Sequence, residues 1–231
     1  MFCWIPRRWQ SVDLLELKLT SSYFTEFLSL AIIHFLAVVA PGPDFAITVR
    51  QSVRYGRLVG LFTALGIGAG ISVHVLYTLL GIGALMHATP WLLSVAKVIG
   101  GAYILYLGIS LLKSKPTQAL DEVQGGTVAV DEQTIGKAFR IGFLTNATNP
   151  KATLFFLAIF TTVVSAQTPM KIQALYGLWM CCVNAAWFMI VSFLFSSPRV
   201  RQLFLRMGHW FERTMGLVLV FFAGRLLLSI I

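Results

Sequence analysis

The stretch F-T-E-F-L-S-L-A-I-I-H-F-L-A-V-V-A-P-G-P-D-F-A-I-T at residues 24–48 is apolar and long enough to cross a bilayer, yet Ala40-Pro41-Gly42-Pro43-Asp44 interrupts it. A hydrocarbon core of about 30 Å needs roughly 20 apolar residues of helix. Proline has no backbone N–H, and its ring clashes with the preceding turn. Pro41 and Pro43 therefore deprive the carbonyls of Ala37 and Val39 of helical partners. Unpaired backbone groups are costly in lipid, so these carbonyls must face protein, water or a ligand. Gly42 is acceptable at an N-cap and Pro43 suits the first helical position, so a new helix should begin with Asp44 in its first turn.

A second interruption of the same kind, Thr145-Asn146-Ala147-Thr148-Asn149-Pro150-Lys151, falls inside the apolar stretch 139–165. Here Pro150 frees the carbonyl of Asn146, Asn149 can cap, and Lys151 takes the place that Asp44 has in the first break. Further apolar stretches at 58–86, 91–112, 172–196 and 213–231 complete a set of six. The long polar connection at about 114–138, with Asp121, Glu122, Asp131 and Glu132, divides them into halves of three. Three is odd, so the halves must run in opposite directions through the bilayer. The expected fold is an all-α membrane protein of six transmembrane helices, arranged as two inverted three-helix repeats. The first helix of each repeat is broken at a proline.

Composition agrees with a membrane solvent: 57% of the residues are hydrophobic and 12% charged, with a mean hydropathy of +0.79. A net charge of +9 could suggest nucleic acid, but the basic residues form short clusters between apolar stretches, as membrane orientation requires. Cys3, Cys181 and Cys182 have no metal-ligand spacing and no disulfide framework. No HExxH motif and no pair of intramembrane Asp residues supports an enzyme, and no metal or cofactor is expected.

Orientation follows from the basic residues. Arg50, Arg54, Arg57, Lys113, Lys115, Lys137, Arg140, Arg199, Arg201, Arg206 and Arg213 fall on one side, against Arg7, Arg8, Lys18 and Lys171 on the other. The positive-inside rule puts the larger group in the cytoplasm and both termini outside, in a multi-pass membrane protein. Residues 1–22 form an extension of unassigned role before the six-helix domain of 23–231. Asp13, Glu16 and Lys18 argue against a cleaved signal, and a short interfacial helix and a disordered segment stand as alternatives.

Asp44 is read as the only acidic residue within a span, the other eight lying at 13, 16, 26, 121, 122, 131, 132 and 212. A carboxylate inside a membrane suggests function, while compensation of a helix dipole or a salt bridge to Lys151 is the structural alternative. Lys151 opposes the dipole of its helix and needs an anion nearby, unless it snorkels to the cytoplasmic face. Asp44, Lys151, Asn146 and Asn149 are the substrate-binding candidates, grouped around a zwitterion; Pro41, Gly42, Pro43 and Pro150 make the breaks. Asp44, His34 and His74 are candidates for a proton relay, with helix-packing hydrogen bonds as the alternative for both histidines. Asn184 can line a site or join two helices, Lys97 and Arg225 can snorkel from span ends, and the glycines at 66, 68, 70, 100, 101 and 108 suit close helix packing or a substrate-lining surface.

P-G-P-D-F at 41–45, the glycine-rich second span, G-G-A-Y-I-L-Y-L-G-I-S-L-L at 100–112 and F-R-I-G-F-L-T-N-A-T-N-P-K-A at 139–152 together resemble the LysE/RhtB family of amino-acid exporters. The resemblance covers roughly residues 23–231. It implies a secondary transporter that exports a small amino acid or derivative, of threonine or homoserine type by preference, through proton antiport. Its partners would be the amino acid, protons and the lipid bilayer, with a homo-oligomer left open and no nucleic acid. Export of lysine or leucine, or a channel for another solute, is the alternative.

The topology is tested with single cysteines in a cysteine-free background. A cysteine at position 171 should react in intact cells with a membrane-impermeant thiol reagent, while one at position 125 should not; the reverse pattern would invert the orientation.

Overall fold

The computed structural model describes residues 7–88, 90–114, 133–165 and 167–228, and within them the chain is helical without strands. The described helices are α1 (Arg7–Val39), α2 (Pro43–Tyr55), α3 (Arg57–Ala88), α4 (Pro90–Leu112), α5 (Ile135–Ala147), α6 (Pro150–Thr162), α7 (Met170–Phe195) and α8 (Pro198–Leu228). Cys3 and most of the polar connection, with Asp121, Glu122, Asp131 and Glu132, lie outside the described residues.

Helix breaks fall where the prolines are. α1 ends at Val39 and α2 starts at Pro43 with Gly42 as its N-cap; α5 ends at Ala147 and α6 starts at Pro150 with Asn149 as its N-cap. α1 differs from both readings of the N-terminal segment, because it runs from Arg7 through the first apolar stretch without a boundary near residue 22. Its 33 residues span about 50 Å, more than a bilayer core. No proline or glycine occurs between Arg7 and Val39 to stop it.

Four described helices have segments long and apolar enough to cross a membrane: Ser22–Val39, Arg57–Gly81, Ser94–Leu112 and Met170–Phe195. The remaining two stretches fall short for separate reasons. The break divides the stretch at 139–165 into two 13-residue helices, α5 and α6. Of the stretch at 213–231 the described part ends with α8 at Leu228, which leaves it short once Glu212 and Arg213 bound it on the other side. Glu26 corrects the reading of Asp44 as the only acidic residue within a span, since it lies in the apolar segment Ser22–Val39 of α1; Glu212, outside those four segments, is buried in α8.

α3 occupies the centre, packed against α2, α5, α6 and α7, and α4 is held between α6 and α8. Glycines make the closest of these contacts. A Cβ on Gly142 of α5 would collide with the Thr63 carbonyl of α3, and one on Gly66 of α3 with the Phe139 carbonyl of α5. Between α4 and α8, Gly108 and Gly216 face each other backbone to backbone. The glycines of α3 and α4 thus serve packing, which dispersion between close backbones rewards in lipid, where burial of apolar surface does not. Two clusters of buried apolar side chains fill the interior; Phe155, Phe156, Ile159 and Phe160 of α6 belong to the larger.

Gly142→Ala should destabilise the detergent-solubilised protein by about 1–3 kcal/mol, the usual cost of overpacking. Gly136→Ala, where an added Cβ meets nothing within 4 Å, should leave stability unchanged or slightly raised. Equal denaturant midpoints for the two variants would show that the α3–α5 contact yields at no cost.

Candidate functional site

The two breaks meet, and each supplies what the other lacks. At the first, Asp44 sits in the opening turn of α2, where a carboxylate complements the positive end of the helix dipole. Its Oδ2 accepts a hydrogen bond from Asn146 Nδ2 at 2.9 Å and a longer one from Asn149 Nδ2 at 3.3 Å, both across the second break. At the second, the Lys151 N–H donates to Asn149 Oδ1, which caps α6. The Lys151 side chain turns back toward the first break, its Nζ donating to the Ala40 carbonyl at 3.5 Å. Ala40 lies in the bend beyond α1, so its carbonyl has no following turn to bond to.

This exchange decides among the structural alternatives. Asp44 and Lys151 interact electrostatically but make no direct ion pair within the structure; amides and a backbone carbonyl stand between them as their contacts. Lys151 does not snorkel, because its ammonium points into the crossing and lies beside Gly42. Asp44 Oδ1 and Asn146 Oδ1 are buried without a hydrogen-bond partner.

The carbonyl of Asn146, which Pro150 deprives of its helical donor, has two replacements. The Asn149 N–H reaches it at 2.8 Å and His74 Nε2 at 2.9 Å. A carbonyl can only accept, so Nε2 carries the proton; the Tyr77 hydroxyl, 2.9 Å away, then donates to Nδ1. His74 is buried and stacks on Phe156. Both its nitrogens are engaged in holding the break. His34 is placed differently. Asn184 Nδ2 donates to the Met180 carbonyl and to His34 Nε2, which leaves His34 Nδ1 as the protonated nitrogen, buried and without a partner.

A cavity opens at the crossing, lined by Asp44, Asn146, Asn149, Lys151, His34 and Asn184 among polar residues, with Phe155, Phe156 and Phe188 among the apolar ones. Pro43 and Gly42 border it. It measures about 50 Å³. A water needs about 10–15 Å³ on this scale, so the cavity admits a few waters and must widen before it takes an amino acid. Asn184 both lines the site and joins α7 to α1. Tyr103, which sequence reasoning passed over, donates to the Lys151 carbonyl at 3.1 Å and ties α4 to the start of α6. It stands within the quoted stretch 100–112, whose other residues give no sign of that contact. Lys97 and the adjacent Cys181 and Cys182 take no part in the crossing.

The family model for LysE type translocators matches residues 35–230. The chain belongs to that family. It is 29% identical over 205 residues to the threonine efflux protein of Escherichia coli (strain K12), covering 88% of this chain and 98% of the relative. It is 27% identical over the same length to the threonine efflux protein of Salmonella typhi, with the same coverage. An uncharacterized membrane protein of Escherichia coli (strain K12), YahN, is 28% identical over 81% of this chain and 82% of its own. No solved structure matches. As a member of this family the chain is a membrane transporter, and its two breaks both fall within the matched residues.

His74→Phe keeps a ring against Phe156 but removes the hydrogen bond to the Asn146 carbonyl. It should lower stability by about 1 kcal/mol, the net worth of one buried hydrogen bond, while export retains its dependence on pH. Loss of that dependence at unchanged stability would make His74 a proton carrier instead of a strut for the break.

Proposed function

We propose that this translocator exports a small amino acid, of threonine or homoserine type, from the cytoplasm in exchange for protons, with the substrate held at the crossing of its two breaks. One observation carries this reading: the crossing brings together two helix N-termini, one carboxylate and one ammonium around a single cavity. The N-termini of α2 and α6 with Lys151 attract a carboxylate, while Asp44 Oδ1 and Asn146 Oδ1 accept from an ammonium. The printed activity of the two threonine efflux relatives supports the substrate class.

Asp44 is the proton carrier in this scheme. A proton on Asp44 and a substrate ammonium compete for the same oxygen, so each displaces the other, which is the coupling that antiport requires. His34, which lines the cavity and has a buried Nδ1 without a partner, is the second group able to pass a proton, and His74 holds the break.

Six spans result when α1 joins α2 and α5 joins α6, and α8 crosses despite its charges. A two-fold relation that exchanges the halves maps the α3–α7 and α4–α8 contacts each onto itself, while α2–α3 and α4–α6 lack counterparts of like extent in α6–α7 and α2–α8, so the relation is one of topology and not of equal packing. The inverted arrangement then opens the cavity to one side at a time, since at about 50 Å³ it admits no substrate as it stands. The cytoplasmic membrane is the location, with both termini outside.

Export is measured with cells or vesicles preloaded with radiolabelled threonine, homoserine, lysine or leucine. Asp44→Asn should abolish proton-coupled export and make residual binding independent of pH. Lys151→Met should weaken binding about 10- to 100-fold, the worth of a hydrogen bond to a charged group, and should spare a substrate whose carboxylate is closed as a lactone. The double variant should recover nothing. Substantial recovery would reduce the two residues to a mutually neutralising pair, and no export of any amino acid above empty-vector rate would overturn the function itself.

A further inference from the structure

A second cavity lies between α1, the end of α6 and α8, and measures about 570 Å³, within the usual range of about 300–1,000 Å³ for small-molecule pockets. It is lined by both signs of charge, Glu26 of α1 and Arg225 of α8, which form no ion pair with each other among the described residues. The Glu26 carboxylate is fixed in place by the α6–α7 connection: the Ser165 N–H donates to Oε2 at 2.9 Å, and the Thr168 hydroxyl lies 2.9 Å from Oε1 and 3.0 Å from Oε2.

Two of the hydroxyls in the same wall, those of Ser29 and Thr162, are already committed as donors. Ser29 Oγ donates to the Thr25 carbonyl at 3.0 Å and Thr162 Oγ1 to the Ala158 carbonyl at 2.7 Å. Toward the cavity they present lone pairs only, as the carboxylate does. One wall thus offers acceptors for an ammonium, and Arg225 offers a donor fork for a carboxylate. Ile33 and Phe222 supply apolar surface for a short side chain. Ile33 immediately precedes His34, which lines the central cavity, so the two cavities lie at one level of α1 on different faces of that helix.

We propose that the Glu26–Arg225 cavity is a second amino-acid site, which receives the zwitterion from the central crossing before release to the outside. This rests on the exporter reading above and on the orientation that puts these ends of α1 and α8 outside. It assigns Arg225 a ligand where the sequence offered only snorkelling. Size supports the order of events, because the central cavity is contracted while the outer one has room for an amino acid.

Equilibrium dialysis of the purified full-length protein against radiolabelled threonine tests the proposal. Wild type should bind two equivalents. Arg225→Gln should remove one and leave the Lys151-dependent equivalent, whose retention shows that the variant is folded; Glu26→Gln should do the same. Lys151→Met should keep the equivalent that depends on Arg225, and the Lys151→Met, Arg225→Gln double variant should bind none. A single equivalent in wild type, abolished by Lys151→Met, would overturn the second site and leave the central reading intact. No binding by wild type would overturn both. Phosphatidylethanolamine also carries an ammonium and an acidic group, so loss of the Arg225-dependent equivalent when that lipid is added would overturn the assignment to a free amino acid, and its retention would support it.

Discussion

A proline inside an apolar helix leaves a backbone carbonyl without its helical donor, and the rest of this structure depends on how that demand is met. Each break alone would be expensive in lipid. Together they share partners: amides of the second break hold the carboxylate of the first, and the ammonium of the second lies on the Ala40 carbonyl of the first. His74 completes the arrangement from α3, a helix that has no break of its own.

The same requirement explains the close packing around α3. For His74 to reach the Asn146 carbonyl, α3 must approach α5 closely, and Gly66, Gly70 and Gly142 remove the side chains that would keep them apart. Packing and polar chemistry are therefore one design. A side chain added at Gly70 would press on Asn146 itself, the residue that holds Asp44.

Function follows from what the crossing leaves unsatisfied. Asp44 gives one oxygen to the amides and keeps the other free, and Asn146 gives its amide nitrogen and keeps its oxygen free. A site that met every polar group internally would be a strut. This one retains acceptors beside an ammonium and two helix N-termini, and the proposed zwitterion site rests on those groups.

The sequence by itself determined where the helices break, since proline's missing donor and fixed ring act over a single turn and need no distant partner. The N-caps at Gly42 and Asn149, the restart at Pro43 and Pro150, and the placing of Asp44 and Lys151 in the first turns were legible for that reason. Partners across long separations were not. That Asn146 holds Asp44, that Lys151 turns to Ala40 instead of pairing with Asp44, and that both nitrogens of His74 are occupied while Nδ1 of His34 is not depend on which helix faces which. The charged wall of Glu26 and Arg225 was hidden likewise, because its members are 199 residues apart and each alone reads as a span-end charge. Local covalent chemistry fixed the breaks; only the packing of α1, α6 and α8 could bring those charges to one cavity.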